Sequence, residues 1–182
     1  GFHLEDQVFP KRCGHLEGKA VVSAAELCAK IRAVRDALAD DDMVVIARTD
    51  AVAVEGLDSA IDRMHQYMEA GADVAFIEAP RTIPDIEKLA RELNYPKLLN
   101  MFWSGKTPVV PREQLEAMGF NLVIVPGDLQ RTAIFAMQQA AEAILRDGHT
   151  ESLSHMMATF DDREAAVNTS HYMEMDERYS HE

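Results

Sequence analysis

Met43-Val44-Val45-Ile46-Ala47, followed by Arg48-Thr49-Asp50, is the stretch that decides the fold. Five consecutive apolar residues without polar alternation are too short for a buried helix and read as a strand covered on both faces. Arg48-Thr49-Asp50 closes it with a sharp change to polar chemistry. The same figure recurs outward along the chain. Val74-Ala75-Phe76-Ile77 ends in Glu78, Lys97-Leu98-Leu99 ends in Asn100-Met101, and Leu122-Val123-Ile124-Val125 ends in Pro126-Gly127. Toward the front, residues 2–5 read as the end of a further strand, closing on Glu5.

Helical patterns lie between these strands. Ser23 with Glu26 three residues later reads as a capping box, and Leu27, Ile31, Val34 and Leu38 follow at helical spacing. A second helix is expected over 56–70, closed by Gly71, and a third over 84–93 with Pro84 in its first turn. A short fourth covers 111–118, and a long fifth runs over 128–146 and stops at Gly148. Strand and helix thus alternate at roughly 25–30 residues per unit, the signature of an α/β chain with a parallel sheet. Residues 1–148 form the α/β part, and 149–182, polar and rich in Met, form a C-terminal extension with short helical patterns. Residues 6–20 hold Pro10, Gly14 and Gly18 and read as one long loop.

The composition narrows the function classes. The chain has 182 residues, a formal charge of −13, 47 % hydrophobic and 27 % charged residues, and two cysteines. This apolar content supports a core and excludes a disordered chain. No run approaches the roughly 18–20 apolar residues of a membrane helix, so no membrane partner is expected. The acidity excludes a general nucleic-acid binder. Cys13 and Cys28 form no disulfide framework, which points to a reducing, cytoplasmic setting. The chain opens without Met or a leader pattern, on what reads as a strand end, and the front of something larger is expected to be absent.

Position carries the chemistry. Glu5, Arg48, Glu78 and Asn100 each fall at the C-terminal end of a different strand, the edge on which parallel α/β folds carry their sites. One reading is that strand ends turn polar where they leave the core. The other is a site: acids for a hard divalent cation, Arg48 as a two-pronged carboxylate clamp, and Asn100 with Ser104, Lys106 and Thr107 as donors to a second anionic group. No His-x-x-x-His or Cys-x-x-Cys pattern supports zinc. In the loop Pro10-Lys11-Arg12-Cys13-Gly14-His15, the thiol is flanked by cations that favour thiolate, and Gly14 lets the backbone bend. The alternative is a solvated basic loop with an incidental cysteine. Cys28, beside Leu27 and Ile31, reads as a small core residue.

Glu5-Asp6-Gln7 with Lys11-Arg12-Cys13-Gly14-His15 resembles the isocitrate lyase/phosphoenolpyruvate mutase superfamily, in its 2-methylisocitrate lyase and oxaloacetate decarboxylase-like branch, also labelled carboxyvinyl-carboxyphosphonate phosphorylmutase. The likeness continues through Ala47-Arg48-Thr49-Asp50-Ala51, Gly56-Leu57-Asp58-Ser59-Ala60-Ile61, Ala70-Gly71-Ala72-Asp73, Phe76-Ile77-Glu78-Ala79 and Gly105-Lys106-Thr107-Pro108, over nearly the whole chain. It implies part of a (β/α)8 TIM barrel, about its last five strand–helix units, followed by the helical extension. It implies an Mg²⁺-dependent lyase, with Mn²⁺ as a substitute, that makes or breaks a C–C bond in a small 2-hydroxy or 2-oxo di- or tricarboxylate through an enolate. Carried over by position, Glu5 belongs to the metal shell through water. Cys13 is the acid/base on a gating loop, with Lys11, Arg12 and His15 in support. Glu78 faces the substrate as a further catalytic group. Gly14, Arg48, Asn100, Ser104 and Thr107 bind the substrate. A homotetramer that exchanges the helix 128–146 is also implied.

Two departures bear on this. Met101-Phe102-Trp103-Ser104-Gly105-Lys106 is less polar than the matching stretch of isocitrate-type enzymes, which favours a smaller or methylated dicarboxylate. The Asp-Ala-Asp-type segment that binds Mg²⁺ directly in the family has no match here. A full barrel takes roughly 250 residues, so the first three strands are expected to be missing and the isolated chain to be inactive. The rival readings are a phosphonate-forming mutase, against which Lys-Arg-Cys-Gly-His speaks, and a non-catalytic barrel half acting as a scaffold.

Overall fold

A computed structural model describes every residue except 15, 39–41 and 181–182. Five strands form one sheet: β1 Phe2–Glu5, β2 Val45–Thr49, β3 Val74–Ile77, β4 Lys97–Asn100 and β5 Leu122–Ile124. They lie in chain order, and each pairs parallel to the next. The helices of this part are α1 Ala24–Ala37, α2 Leu57–Glu69, α3 Ile83–Glu92 and α4 Arg112–Ala117. A sheet that steps one strand at a time in one direction never reverses its order, so right-handed crossovers place all its helices on one face. That is the arrangement of a (β/α) barrel wall, and it differs from a doubly wound sheet.

The period-2 geometry of the strands sorts side chains between two layers. Ala47, Ala75, Ile77 and Leu99 join Leu27 and Ile31 of α1, Ile61, Met64 and Tyr67 of α2, and Ile86 and Leu89 of α3 in the main core. The opposite face holds a smaller cluster of Val74, Phe76 and Leu98 with Ile46 against it. In the register, Glu5 lies beside Arg48 and Arg48 beside Phe76, so the polar strand-end residues belong to this second face.

Local signals set the element ends. Ser23 caps α1 by accepting from the Glu26 N–H at 3.2 Å. Only this half of the expected capping box forms, because the Glu26 carboxylate turns outward to Lys30 at 2.6 Å. At α3 both halves form, between Thr82 and Asp85, with Pro84 in the first turn as read from sequence. β2 runs through Thr49, so Arg48 lies inside the strand and not after it. β5 departs from the expectation of buried strands: Leu122, Val123 and Ile124 are exposed. Among the described residues its one strand partner is β4, and an apolar run reads the same whether or not a second neighbour covers it.

The chain divides into two compact units, Gly1–Asp128 and Leu129–Glu182, whereas the sequence reading put its boundary after 148. Nearly all of α5, Asp128–Asp147, falls in the second unit. That unit continues with a 3₁₀ turn, Glu151–Met156, then α6 Phe160–Ala166 and α7 Thr169–Tyr179. A Thr159–Asp162 capping box starts α6. No helix of the described residues is long and apolar enough to cross a membrane.

Candidate active site

The parallel register brings four strand ends to one edge of the inner face. Glu5 closes β1, with Lys11 Nζ 2.8 Å from its Oε1 and Arg48 Nε 3.3 Å from its Oε2. Arg48 lies above the Phe76 ring, 5.1 Å from the centroid, and sends Nη2 to within 3.5 Å of Glu78 Oε2. Its Nε and Nη2 donate to Asp50 at 2.9 and 3.2 Å. Burial pushes this guanidinium down, but the Asp50 bond and the charges of Glu78, Asp50 and Glu5 outweigh it and raise the pKa, so the cation is permanent. Asn100 Nδ2 lies 3.2 and 3.3 Å from the two Glu78 oxygens, as the amide is assigned. Glu78 is 2 % exposed and is followed by Ala79 at φ 58°, a left-handed turn that leads the chain off the sheet immediately after the carboxylate.

The loop after β1 folds onto this edge. Its base is closed by an antiparallel bridge between Gln7 and Val21 and by the Val8 N–H donating to the Ala20 carbonyl at 2.9 Å. Gln7 forms a ring with the Arg12 backbone, donating to its carbonyl at 2.8 Å and accepting from its N–H at 2.9 Å. Arg12 Nη1 donates to the Glu17 carbonyl at 3.2 Å. Cys13 is exposed and in no disulfide. Gly14 is buried, and a Cβ there would come within 2.6–2.7 Å of the Glu78 side chain. Glycine is required here because backbone meets carboxylate. His15 lies outside the described residues. A second loop, after β4, is tied to the first by Lys106 Nζ and Glu17 Oε1 at 2.6 Å. Ser104 is exposed at φ 64°, and Thr107 is buried.

Among the described residues, three buried side-chain atoms lack a hydrogen bond: Asn100 Oδ1, Thr107 Oγ1 and Glu5 Oε2, the last having only its ion contact with Arg48 at 3.3 Å. All three belong to residues read from the sequence as site residues. An unsatisfied buried polar atom costs about 1–3 kcal/mol. Such a cost at a strand end and in the loop that follows it marks a place built to meet a ligand.

Three residues that sequence reasoning left aside complete the arrangement. Asp6 is fully buried and accepts from Thr49 Oγ1 at 2.6 Å, the Asp50 N–H at 3.0 Å and Tyr67 Oη at 2.9 Å. Burial pushes its carboxyl up, against those hydrogen bonds and the charge of Arg63. Asp50 orients Arg48 from just past the end of β2, and a carboxylate two residues beyond the guanidinium was the available signal. Lys19 is 3.6 Å from Asp50 and donates to the Gly14 carbonyl.

The donor set tests a divalent cation. Among the described residues, no group of three His, Cys, Asp or Glu side chains is placed to hold a metal ion. The direct coordination shell is therefore not supplied by these residues. Glu5 Oε2, in ion contact with Arg48 but without a hydrogen bond, fits a hydrogen bond from a water of hydrated Mg²⁺, an ion that keeps several of its waters.

Residues 1–145 match the family model described as phosphoenolpyruvate phosphomutase. The chain is 46 % identical over 148 residues to a probable 2-methylisocitrate lyase of Corynebacterium glutamicum, covering 81 % of this chain and 48 % of that protein. It superposes on the crystal structure of 2,3-dimethylmalate lyase with TM-score 0.85 and 35 % identity, covering 97 % of this chain and 59 % of that one. For phosphonopyruvate hydrolase in complex with oxalate and Mg²⁺ the values are TM-score 0.80 and 26 %, with 97 % and 62 % covered. The chain spans about half the length of the curated relatives it matches.

Proposed function

The chain belongs to the phosphoenolpyruvate phosphomutase family, and on that premise we propose that it carries the acid/base loop and carboxylate pocket of a carbon–carbon lyase. Its substrates are small 2-hydroxy di- or tricarboxylates of the 2-methylisocitrate or dimethylmalate type. The observation behind this reading is the inner-face edge where Arg48, Glu78 and Asn100 meet the loop of Cys13, with Asn100 Oδ1 and Thr107 Oγ1 buried and without a hydrogen bond.

In the reaction, the substrate hydroxyl loses its proton to a carboxylate of the inner face, and Glu78 takes that role because Glu5 is given to the metal's waters. The oxygen becomes the carbonyl of a 2-oxo acid as the C–C bond breaks. The electron pair passes to the carbon beside a neighbouring carboxylate as an enolate, which then takes a proton from Cys13. Arg48, fixed and always charged, holds the carboxylate and the oxygen on which charge develops. Thr107 donates its free hydroxyl to the distal carboxylate, Asn100 joins it once its Nδ2 turns from Glu78, and the loop excludes water. When bound, Mg²⁺ supplies a further positive charge to those oxygens, with Glu5 accepting from one of its waters.

An assembly of identical chains through α5 belongs to the same proposal, supported by the exposed Leu129, Ile134, Phe135 and Met137 on that helix. So does action in the cytoplasm.

The test, made with this chain in a complete barrel because its described residues do not supply the direct metal shell, is pyruvate release from 2-methylisocitrate and 2,3-dimethylmalate, against turnover of phosphonopyruvate, each with Mg²⁺. Faster reaction of a hydroxy acid, and a loss of about 10²–10⁴-fold on Cys13→Ser, support the reading. Faster phosphonopyruvate turnover overturns the reaction class. Activity within about tenfold in Cys13→Ser overturns the acid/base assignment. Oxalate, a planar dianion shaped like a pyruvate enolate, probes the pocket, and binding that Arg48→Lys leaves unchanged overturns the role of Arg48.

A further inference from the structure

Lys19 is a buried ammonium for which the proposed chemistry has no use. Its side chain is 1 % exposed, it donates to the Gly14 carbonyl, and it lies 3.6 Å from Asp50 Oδ1. The Asp50 side chain is fully buried and grips Arg48 through both oxygens. The Asp50 backbone N–H is held in turn by Asp6. One buried carboxylate therefore joins two cations that belong to different parts of the site. Arg48 stands on β2 and faces the pocket. Lys19 stands at the root of the loop that bears Cys13.

We infer that Lys19 and Asp50 are positioning residues that seat the Cys13 loop and aim Arg48 as one coupled unit. The inference rests on the reading of Cys13 and Arg48 as the groups that meet the substrate. A buried ammonium must keep an anionic partner or leave the interior. If the loop lifts, Lys19 gives up Asp50, and Asp50 loses one of the two cations that balance it. The seat is a close one, because Gly14 touches the Glu78 side chain and admits no Cβ. That turn is held from both sides, by the Gln7–Arg12 ring before it and by Lys19 after it. Lys19 thus fixes the backbone beside the thiol without touching the substrate itself.

Amide hydrogen exchange tests this without recourse to turnover. The N–H groups of Arg12 and Leu16, bonded to Gln7 Oε1 and the Cys13 carbonyl, report on the loop. Lys19→Met is expected to speed their exchange by about tenfold or more, as a local opening would, while amides of α1 and α2 keep wild-type rates. Lys19→Arg is expected to stay within about threefold of wild type, since the guanidinium keeps the charge. A cavity of about 230 Å³ lined in part by Lys19, Arg12 and Phe9 leaves room for the longer side chain. Asp50→Asn is expected to act like Lys19→Met, and the double variant to be no worse than Asp50→Asn alone, because both changes break one unit. Loop exchange in Lys19→Met within about twofold of wild type overturns the inference, as does a double variant whose effects multiply. Should Asp50→Asn fail to fold, Lys19→Met against Lys19→Arg decides. An enzyme that releases no pyruvate defeats the proposed reaction and leaves the exchange result to stand or fall by itself.

Discussion

Polar groups gather at both ends of the parallel sheet, and the two ends use them in opposite ways. At the N-terminal end every group named here closes backbone. The Val45 N–H donates to Asp73 Oδ2 at 2.7 Å while the Asp73 N–H donates back to the Val45 carbonyl at 2.8 Å. Two strands on, the Lys97 N–H donates to Asn121 Oδ1 at 3.2 Å and the Asn121 N–H returns to Lys97 at 3.0 Å. The same device thus completes the ladder at the start of β2 and of β4, using the residue just before the next strand. Arg35 adds bonds to the carbonyls of Gly71 and Met43. At the C-terminal end the side chains pair with one another, while Asn100, and Thr107 in the loop that follows it, keep polar atoms without a hydrogen bond. The first end spends its polar groups on stability. The second holds some back for a ligand, which matches the division of labour in barrel enzymes.

Between the two ends of the sheet, the larger expected effect lies at the C-terminal one. Arg48→Lys keeps the charge but loses the fork that grips Asp50. Turnover should fall by about 10²–10³-fold, the scale of removing one fixed donor to developing charge, with little change in the denaturation midpoint. A variant that keeps its turnover but unfolds early would show that this end, too, serves stability.

The mirror experiment is Asp73→Ala. It strips the Val45 N–H and Arg35 of their carboxylate partner, and unfolding in urea should become easier by about 1–3 kcal/mol. Oxalate binding and turnover should stay at wild-type values. A loss of site function here would erase the contrast between the two ends.

Much of the C-terminal end was legible because it follows from local rules. An apolar run of five residues ending in Arg48 marks a parallel strand, and its last residues must reach the edge that carries sites. Glu78 and Asn100 came from the same rule. The residues that organise this edge were not legible in that way. Asp6 sits in a polar stretch that reads as solvated loop, yet it is fully buried, because Thr49, Tyr67 and the Asp50 N–H converge on it from distant positions. Lys19 meets Asp50 through the fold of the loop, and no periodicity encodes that encounter. The exposure of β5 was hidden for a related reason, since neighbours in a sheet are set by topology and not by the strand's own residues.

The smallest expected effect separates two ties on the same loop. Lys19–Asp50 is buried, whereas Lys106–Glu17 is open to solvent, with the Glu17 side chain 83 % exposed. The hydrogen bond from Lys106, and then its charge, hold the Glu17 carboxyl below its ordinary value of 4.5. A group whose folded value is lowered contributes stability above its unfolded value and loses it as pH falls through the folded one. The outer tie should therefore act at neutral pH, fade below 4.5, and weaken in high salt through screening. Because exposed pairs contribute little, Glu17→Gln should speed exchange at the Leu16 amide by less than about threefold. Acid and salt, after correction for intrinsic exchange rates, should have no further effect on that variant. If Glu17→Gln opens the loop as far as Lys19→Met does, the exposed pair is the clasp. The control of Cys13 then lies in the contact between the two loops and not in the buried carboxylate beneath them.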